Sequence, residues 1–150
     1  MTSTTASYLP EGLPVPTWGP DELEKPFWTG LQEERIRVQR CRACGTWIFG
    51  PEWCCHSCRS LELEWADVAD TATIYSWMRV WHPAHPRLVG QTPYLVVVVE
   101  LPQAGSIRMI GNLLGDPHSP VPIGARVRAV FEHHPGHSLL QWQLAGEESS

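Results

Sequence analysis

The chain has 150 residues, and sixteen acidic against eleven basic side chains leave a formal charge of −5. That length allows one ordinary domain or two small ones, and the acidic balance argues against a large nucleic-acid footprint, which is normally basic. Fourteen Pro and twelve Gly favour turns and short strands over a helical bundle, and no apolar run is long enough to span a bilayer.

Residues 1–20 carry Pro10, Pro14, Pro16 and Pro20 and read as an extended or disordered arm. The arm holds Tyr8, Leu9, Leu13, Val15 and Trp18, which suit an arm lying on a partner or on its own domain. Met1 to Pro10 has no basic segment and no apolar stretch, so no secretory signal is expected there. Asp21 can cap a short helix with Pro26 in its first turn, and Phe27 and Leu31 share a face. One or two helical turns are expected over 21–34, weakened by Gly30. Ile36 and Val38 then alternate with Arg35, Arg37 and Gln39 as a strand leading into Cys41.

Beyond residue 60 the pattern is all-β. Leu61 to Val68 reads as a strand, and Ala72 to Trp81 as a longer one. In the longer one Ile74, Met78 and Val80 are expected on one face, with Tyr75, Trp77 and Trp81 on the other. Residues 82–92 form a loop, and Pro93 to Leu101 is a nearly continuous apolar strand, expected to be buried on both faces. Gln103 to Gly105 form a hairpin turn, with Ile107 to Leu114 as the return strand. Three prolines follow in Pro117 to Gly124. In Arg126 to Glu132 the side chains Val127, Ala129 and Phe131 face one way, and Arg126, Arg128, Val130 and Glu132 the other. Leu139 to Leu144 is the last strand, and 145–150 a frayed tail. Five or six such strands suit a small closed barrel, of which the five-stranded OB-fold is one.

The chemistry sits in residues 41–60. Cys41-x2-Cys44 and Cys55-x2-Cys58 are two two-residue knuckles, the spacing at which four thiolates reach one tetrahedral zinc ion. Gly45 follows the first knuckle, where the turn takes positive φ. Arg59 stands at the matching place in the second, so that turn is expected to differ or to be strained. Cys54 adjoins Cys55 but lacks the two-residue spacing to Cys58, and reads as a passive thiol. Paired thiols of this kind belong to a reducing compartment, so a cytoplasmic location is expected. Four thiolates leave no open position, which makes such a zinc structural rather than catalytic.

No nucleophile elbow, phosphate-binding Gly loop or His-Glu zinc helix is visible in the chain. His82 and His85 lack a third ligand, and His133, His134 and His137 cluster at a strand–loop junction where they are expected to face solvent or a partner. Arg35, Arg37, Arg40 and Arg42 form the one basic cluster, suited to phosphates, to an acidic patch, or to balance by Glu33 and Glu34. Ten of the eleven basic residues are Arg, and the eight Trp hint at a partner surface.

Six stretches together carry a resemblance over residues 24–144. They are Phe27-Trp28-Thr29-Gly30-Leu31 with Val38-Gln39-Arg40-Cys41, then Cys41-Arg42-Ala43-Cys44-Gly45, and Cys55-His56-Ser57-Cys58. Thr73-Ile74-Tyr75-Ser76-Trp77, Pro93-Tyr94-Leu95-Val96-Val97-Val98 and Ile123-Gly124-Ala125-Arg126-Val127 complete the set. In this order they resemble the bacterial and archaeal acyl-CoA-associated family that joins a rubredoxin-like zinc ribbon to an OB-fold. The resemblance implies a mainly β chain: an arm and short helix in 1–40, a zinc ribbon in 41–60, and a five-stranded OB-fold barrel in 61–146. It implies a non-catalytic accessory subunit of a thiolase-superfamily acyl-CoA complex, such as a retro-aldolase (lyase) of steroid side-chain degradation. The subunit would dock on a thiolase-like lipid-transfer protein through its ribbon and helical N-terminus and border the channel for CoA or the acyl chain. The family usually has Gly after the last ribbon Cys and a Pro pair in the ribbon hairpin, where this chain has Arg59 and Gly50-Pro51. A single-stranded nucleic-acid-binding module is the competing reading, because OB-folds and zinc ribbons both serve that role. A self-sufficient CoA-ester enzyme is a third, with no visible acid–base pair to run it.

Overall fold

The computed structural model describes residues 2–146, which leaves Met1 and the last four residues of the expected frayed tail outside the description. The chain runs β1 (Thr2–Thr4), α1 (Lys25–Gln32), β2 (Ile36–Cys41), β3 (Trp47–Ile48), β4 (Leu63–Val68), β5 (Thr71–Val80), β6 (Tyr94–Leu101), β7 (Ile107–Asn112), β8 (Arg126–His134) and β9 (His137–Leu144). It is mainly β, with a single α-helix among the described residues.

Two sheets share the work. The smaller has the order β3-β2-β4, and the larger the order β1-β8-β5-β6-β7 with β9 also on β8. In the smaller sheet Ile36 pairs with Val68 and Cys41 with Leu63, so the strands before and after the cysteine module are zipped together along their length. The strand Leu63–Val68 therefore belongs to the ribbon sheet and makes no ladder with the barrel strands. In the larger sheet β5, β6, β7, β8 and β9 have the OB order, with β5 against both β6 and β8. Its two ends meet without zipping up. Only a parallel bridge between Leu113 and Trp142, with the Leu114 N–H donating to the Trp142 carbonyl at 2.8 Å, joins the end of β7 to β9.

The core lies inside the barrel, around Ile74, Leu95, Val97, Val99, Phe131 and Trp142, and Leu31 from α1 plugs into it. Every second residue of β6 is buried (Leu95, Val97, Val99, Leu101), while those between are only partly covered. The expectation of burial on both faces is thus wrong: one face of this continuous apolar strand looks outward. The face assignment in β5 also fails, because a bulge between Ile74 and Ser76 slips the alternation by one. Ile74, Trp77 and Arg79 stand opposite buried Val99, Val97 and Leu95, and Met78 stands opposite Val96 on the outer face.

Helix α1 has Glu24 at its N-cap position, Pro26 in its first turn and no side-chain cap. Asp21, the expected cap, instead accepts a hydrogen bond from the Leu23 N–H. Gly30 sits mid-helix for a packing reason. A Cβ there would lie 2.9 Å from Arg37 Cβ and 3.2 Å from the Arg35 carbonyl, so only Gly lets α1 press against β2.

The arm lies on its own domain. Thr2–Thr4 pairs in parallel with Val130–Glu132 of β8, a strand the sequence reading did not contain. The Tyr8 N–H donates to Glu132, and the Leu95 N–H donates to the Tyr8 hydroxyl oxygen. This contact explains why Val130 and Glu132, on the face opposite to the core side of β8, are both buried.

Candidate metal centre

Cys41 closes β2, Cys44 lies on the turn that follows it, and Cys55 and Cys58 frame the second turn. The two turns repeat one geometry. The Gly45 N–H donates to the Cys41 carbonyl at 2.8 Å, and the Arg59 N–H to the Cys55 carbonyl at 2.9 Å. The Cys41 N–H reaches the Thr46 carbonyl at 2.8 Å, and the Cys55 N–H the Ser60 carbonyl at 2.9 Å. Gly45 has φ +78° and Arg59 has φ +67°. The second turn therefore keeps the left-handed conformation and places a non-Gly residue in it, which is the strained outcome of the two expected. In each knuckle the first cysteine is buried and the second exposed.

The four sulfurs converge. Cys41 Sγ and Cys58 Sγ are 3.6 Å apart, Cys44 Sγ and Cys55 Sγ 3.7 Å, and all four lie within 4.8 Å of one another. Sulfurs bound at ~2.3 Å in a tetrahedron around zinc stand about 3.8 Å apart, so the donor set fits that ion. The Thr46 hydroxyl and backbone favour the ionised form of Cys44 and lower its pKa to about 6. Cys58 is pulled down by the Ser60 backbone but pushed up more by Cys44, by burial and by Cys41 and Cys55, to about 12. A cation shared by all four sulfurs removes that conflict by favouring every thiolate at once. Cys54 is not among the four, and its thiol points at the Arg59 carbonyl, 3.2 Å away.

Support for the site comes from Gln39, a residue the sequence reading passed over. It is buried, and its side-chain amide both donates to the Glu52 carbonyl and accepts from the Glu52 N–H, each at 2.9 Å. That bidentate clamp holds the loop before the second knuckle onto β2.

The other candidates resolve into structural pairings. Arg37 donates to Asp67 at 2.8 Å and to Glu33 at 3.0 Å, and Arg42 is 3.8 Å from Glu64. Arg40 lies 5.0 Å over the Trp47 ring. The basic cluster is thus largely balanced by carboxylates, two of them on β4. On the barrel wall Arg108 lies 3.6 Å over Tyr75 and pairs with Glu100 at 3.0 Å. Arg79 lies 5.1 Å over Trp77 and donates to the Pro117 and Ser119 carbonyls. Arg108 and Arg79 are thus engaged with rings, a carboxylate and backbone carbonyls of their own barrel wall. His85 accepts from the Arg87 N–H, closing the turn Pro86–Leu88.

The histidine cluster is tied down. Glu132, 2% exposed, lies 2.6 Å from His134 Nε2 and accepts from the Tyr8 N–H and from Gln141. His133 bridges Ser138 Oγ at 2.7 Å and Glu34 at 3.0 Å. Serine, histidine and carboxylate in line suggest a nucleophilic triad, but Ser138 is 2% exposed and no substrate carbonyl can reach it. Its role is to lock β9 and the α1–β2 link to the end of β8. Of the two carboxylates expected to balance the basic cluster, Glu33 pairs with Arg37 while Glu34 turns to His133, 99 residues away, and the Tyr8 contact of Glu132 spans 124 residues.

No helix of the described residues is long and apolar enough to cross a membrane. The sequence model of the ChsH2 rubredoxin-like zinc ribbon domain matches residues 28–64, and that of the ChsH2 C-terminal OB-fold domain matches residues 65–132. A probable enoyl-CoA hydratase alpha subunit of Thermomonospora curvata is 34% identical over 67% of this chain and 31% of its own length. The 3-oxo-4,17-pregnadiene-20-carboxyl-CoA hydratase alpha subunit of Mycobacterium tuberculosis is 30% identical over 83% of this chain and 41% of its own. The chain therefore spans well under half of either of these relatives. A DUF35 domain-containing scaffold protein of Methanocaldococcus jannaschii is 28% identical over 74% of this chain and 78% of its own. A solved chain of the Ltp2-ChsH2(DUF35) aldolase superposes with a TM-score of 0.75 and 27% identity, covering 87% of this chain and 98% of that one. With adjacent ribbon and OB models running from residue 28 to residue 132 over the two sheets described, this chain belongs to the ChsH2 family of zinc-ribbon/OB-fold proteins.

Proposed function

We propose that this chain is a non-catalytic accessory subunit of a thiolase-superfamily acyl-CoA complex, a retro-aldolase acting in steroid side-chain degradation. It docks on the thiolase-like lipid-transfer subunit and borders that subunit's channel for CoA or the acyl chain. Cys41, Cys44, Cys55 and Cys58 hold one structural zinc, whose role is to fold the ribbon that presents the docking face. The protein works in the cytoplasm.

The observation that carries this reading is the likeness to a solved chain of the Ltp2-ChsH2(DUF35) aldolase, 98% of which is covered, so that the likeness takes in both the ribbon and the barrel. The site chemistry supports it. Four thiolates fill a tetrahedral zinc, and in the one serine–histidine–carboxylate alignment found among the described residues the serine is buried. Acid, base and nucleophile then come from the partner. The test is co-purification of the tagged chain with the thiolase-like protein of its own source, measured by size-exclusion chromatography with light scattering. A stable complex of defined stoichiometry is expected, and two separate peaks at micromolar concentration would contradict the reading.

A further inference from the structure

The N-terminal arm contributes little to the surface it covers. On one edge of β8, β9 pairs along the strand from Val127 to His134. On the other edge β5 reaches only Arg126–Arg128, and Thr2–Thr4 takes over at Val130–Glu132. Val130 and Glu132 are each 2% exposed beside this short strand. The arm itself has no buried residue from Thr2 to Glu24. Its strand side chains are Thr, Ser and Thr, which add little apolar area to the contact. Past Tyr8 the hold ends: among the described residues, the hydrogen bonds of residues 9–24 stay within the arm or enter α1.

The receiving surface, in contrast, is built. Glu132 is a buried carboxylate that takes the Tyr8 N–H at 2.9 Å, beside His134 Nε2 at 2.6 Å and the Gln141 amide. Glu34 accepts from the Ser3 hydroxyl. The Leu95 N–H, in β6, donates to the Tyr8 hydroxyl oxygen at 3.4 Å. These contacts read an extended backbone, one N–H and two hydroxyls. Fixing an arm costs backbone entropy at every residue, and a few polar hydrogen bonds offset little of it. Such an end opens at low cost. What it uncovers is a free strand edge, the surface on which an extended peptide adds as a further strand.

We infer that the β8 edge at Val130–Glu132 is a strand-addition site for an extended segment of a partner protein, and that the chain's own arm fills it in cis as a displaceable strand. The incoming segment pairs parallel to β8 and sets a backbone N–H on Glu132. It carries hydroxyl side chains at the places of Ser3 and Tyr8. The arm seated there is the template for that occupant. The inference does not depend on which enzyme the chain accompanies.

The test is NMR on the full zinc-loaded chain, labelled with ¹⁵N, with the unlabelled peptide Thr-Ser-Thr-Thr-Ala-Ser-Tyr-Leu-Pro as the probe. A tether of this length holds its own segment at a millimolar effective concentration, so half of the arm should be displaced at about 1–5 mM peptide. The Thr4 and Tyr8 signals should then move to free-chain positions, while those of Val130, Phe131 and Glu132 keep their bound positions. Tyr8→Ala in the labelled chain weakens the arm alone and should lower the half-displacing concentration about fivefold. Tyr8→Phe, which removes only the hydroxyl, is the second variant should Tyr8→Ala fail to fold, with a smaller shift in the same direction. Arm signals that stay in place at ten times the expected concentration in both proteins overturn the proposal. So does amide exchange at Tyr8 as slow as at Val97 in the core. Loss of the bound β8 positions on displacement would show an arm that leaves unreplaced, and overturns it too. Dimerisation of the full chain in light scattering, abolished by the Tyr8 variant, would assign the edge to a second copy and overturn the assignment to a partner.

Discussion

The ribbon and the barrel are both small antiparallel β structures, and they are held together by different forces. The barrel buries Ile74, Leu95, Val97, Val99, Phe131 and Trp142 in one continuous core. The ribbon's own cluster is Cys41, Ile48 and Cys55, with Leu63 packed against it. Burying a large aliphatic side chain is worth roughly 1.5–3 kcal/mol, so so few residues cannot offset the ordering entropy of the cysteine module. A structural zinc contributes on the order of 10 kcal/mol in comparable small modules. The ribbon thus depends on its metal and the barrel on water. The two are joined by α1, which packs against both β2 and β9, and by β4, which leads directly into β5.

The sharpest way to break this contrast is Cys44→Ser. It should release the zinc and abolish amide-exchange protection over residues 41–60, while Ile36 and Val38, which pack in the barrel core, and β5 to β9 keep theirs. Metal content and hydrogen exchange by NMR read both halves at once, and joint collapse would show that the barrel leans on the ribbon. Removing Trp142, which has 0% exposure, works the other way. Trp142→Ala should cost about 3–5 kcal/mol in denaturant unfolding of the barrel, with bound zinc unchanged.

Arg59→Gly sharpens the comparison between the two knuckles. Arg59 occupies a left-handed turn at φ +67° that Gly45 occupies without strain in the first knuckle. The substitution should strengthen the ribbon by about 0.5–1 kcal/mol. A chelator competition titration is the measure, and unchanged or weaker zinc retention would mean that the Arg59 side chain contributes more than its backbone loses.

The smallest effect concerns acid. Glu34 is held below its ordinary value of 4.5, first by the hydrogen bond with His133 and then by one from Ser3. A depressed carboxylate adds stability that is present above the unfolded pKa and lost as pH falls through the folded one. Glu34→Gln should therefore flatten the stability curve below about pH 4.5, without altering its slope near neutrality. Superimposable acid limbs for the two proteins would show that the His133 link carries no net energy.

What could be read from the residues follows the range of each interaction. The two Cys-x2-Cys knuckles, α1 and the barrel strands rest on neighbours within a few positions, and all stand in the structure at or near the expected residues. The bulge after Ile74 could not be read, because the alternation of β5 is broken by its pairing with β6 and not by any Gly or Pro. The strand Thr2–Thr4 has a polar sequence and exists because β8 offers it an edge. Glu132, Ser138 and Gln39 looked like ordinary polar residues. Their partners Tyr8, His133 and Glu52 approach only when the chain is folded. Arg59 was visible as the odd residue of its knuckle, and the structure supplies its conformation.

The accessory role is tested most directly by assaying aldol cleavage of a 3-hydroxyacyl-CoA with this chain alone, with its thiolase-like partner alone, and with the two combined. Turnover is expected only from the combination. Turnover by this chain alone, or equal turnover by the partner without it, would contradict the role.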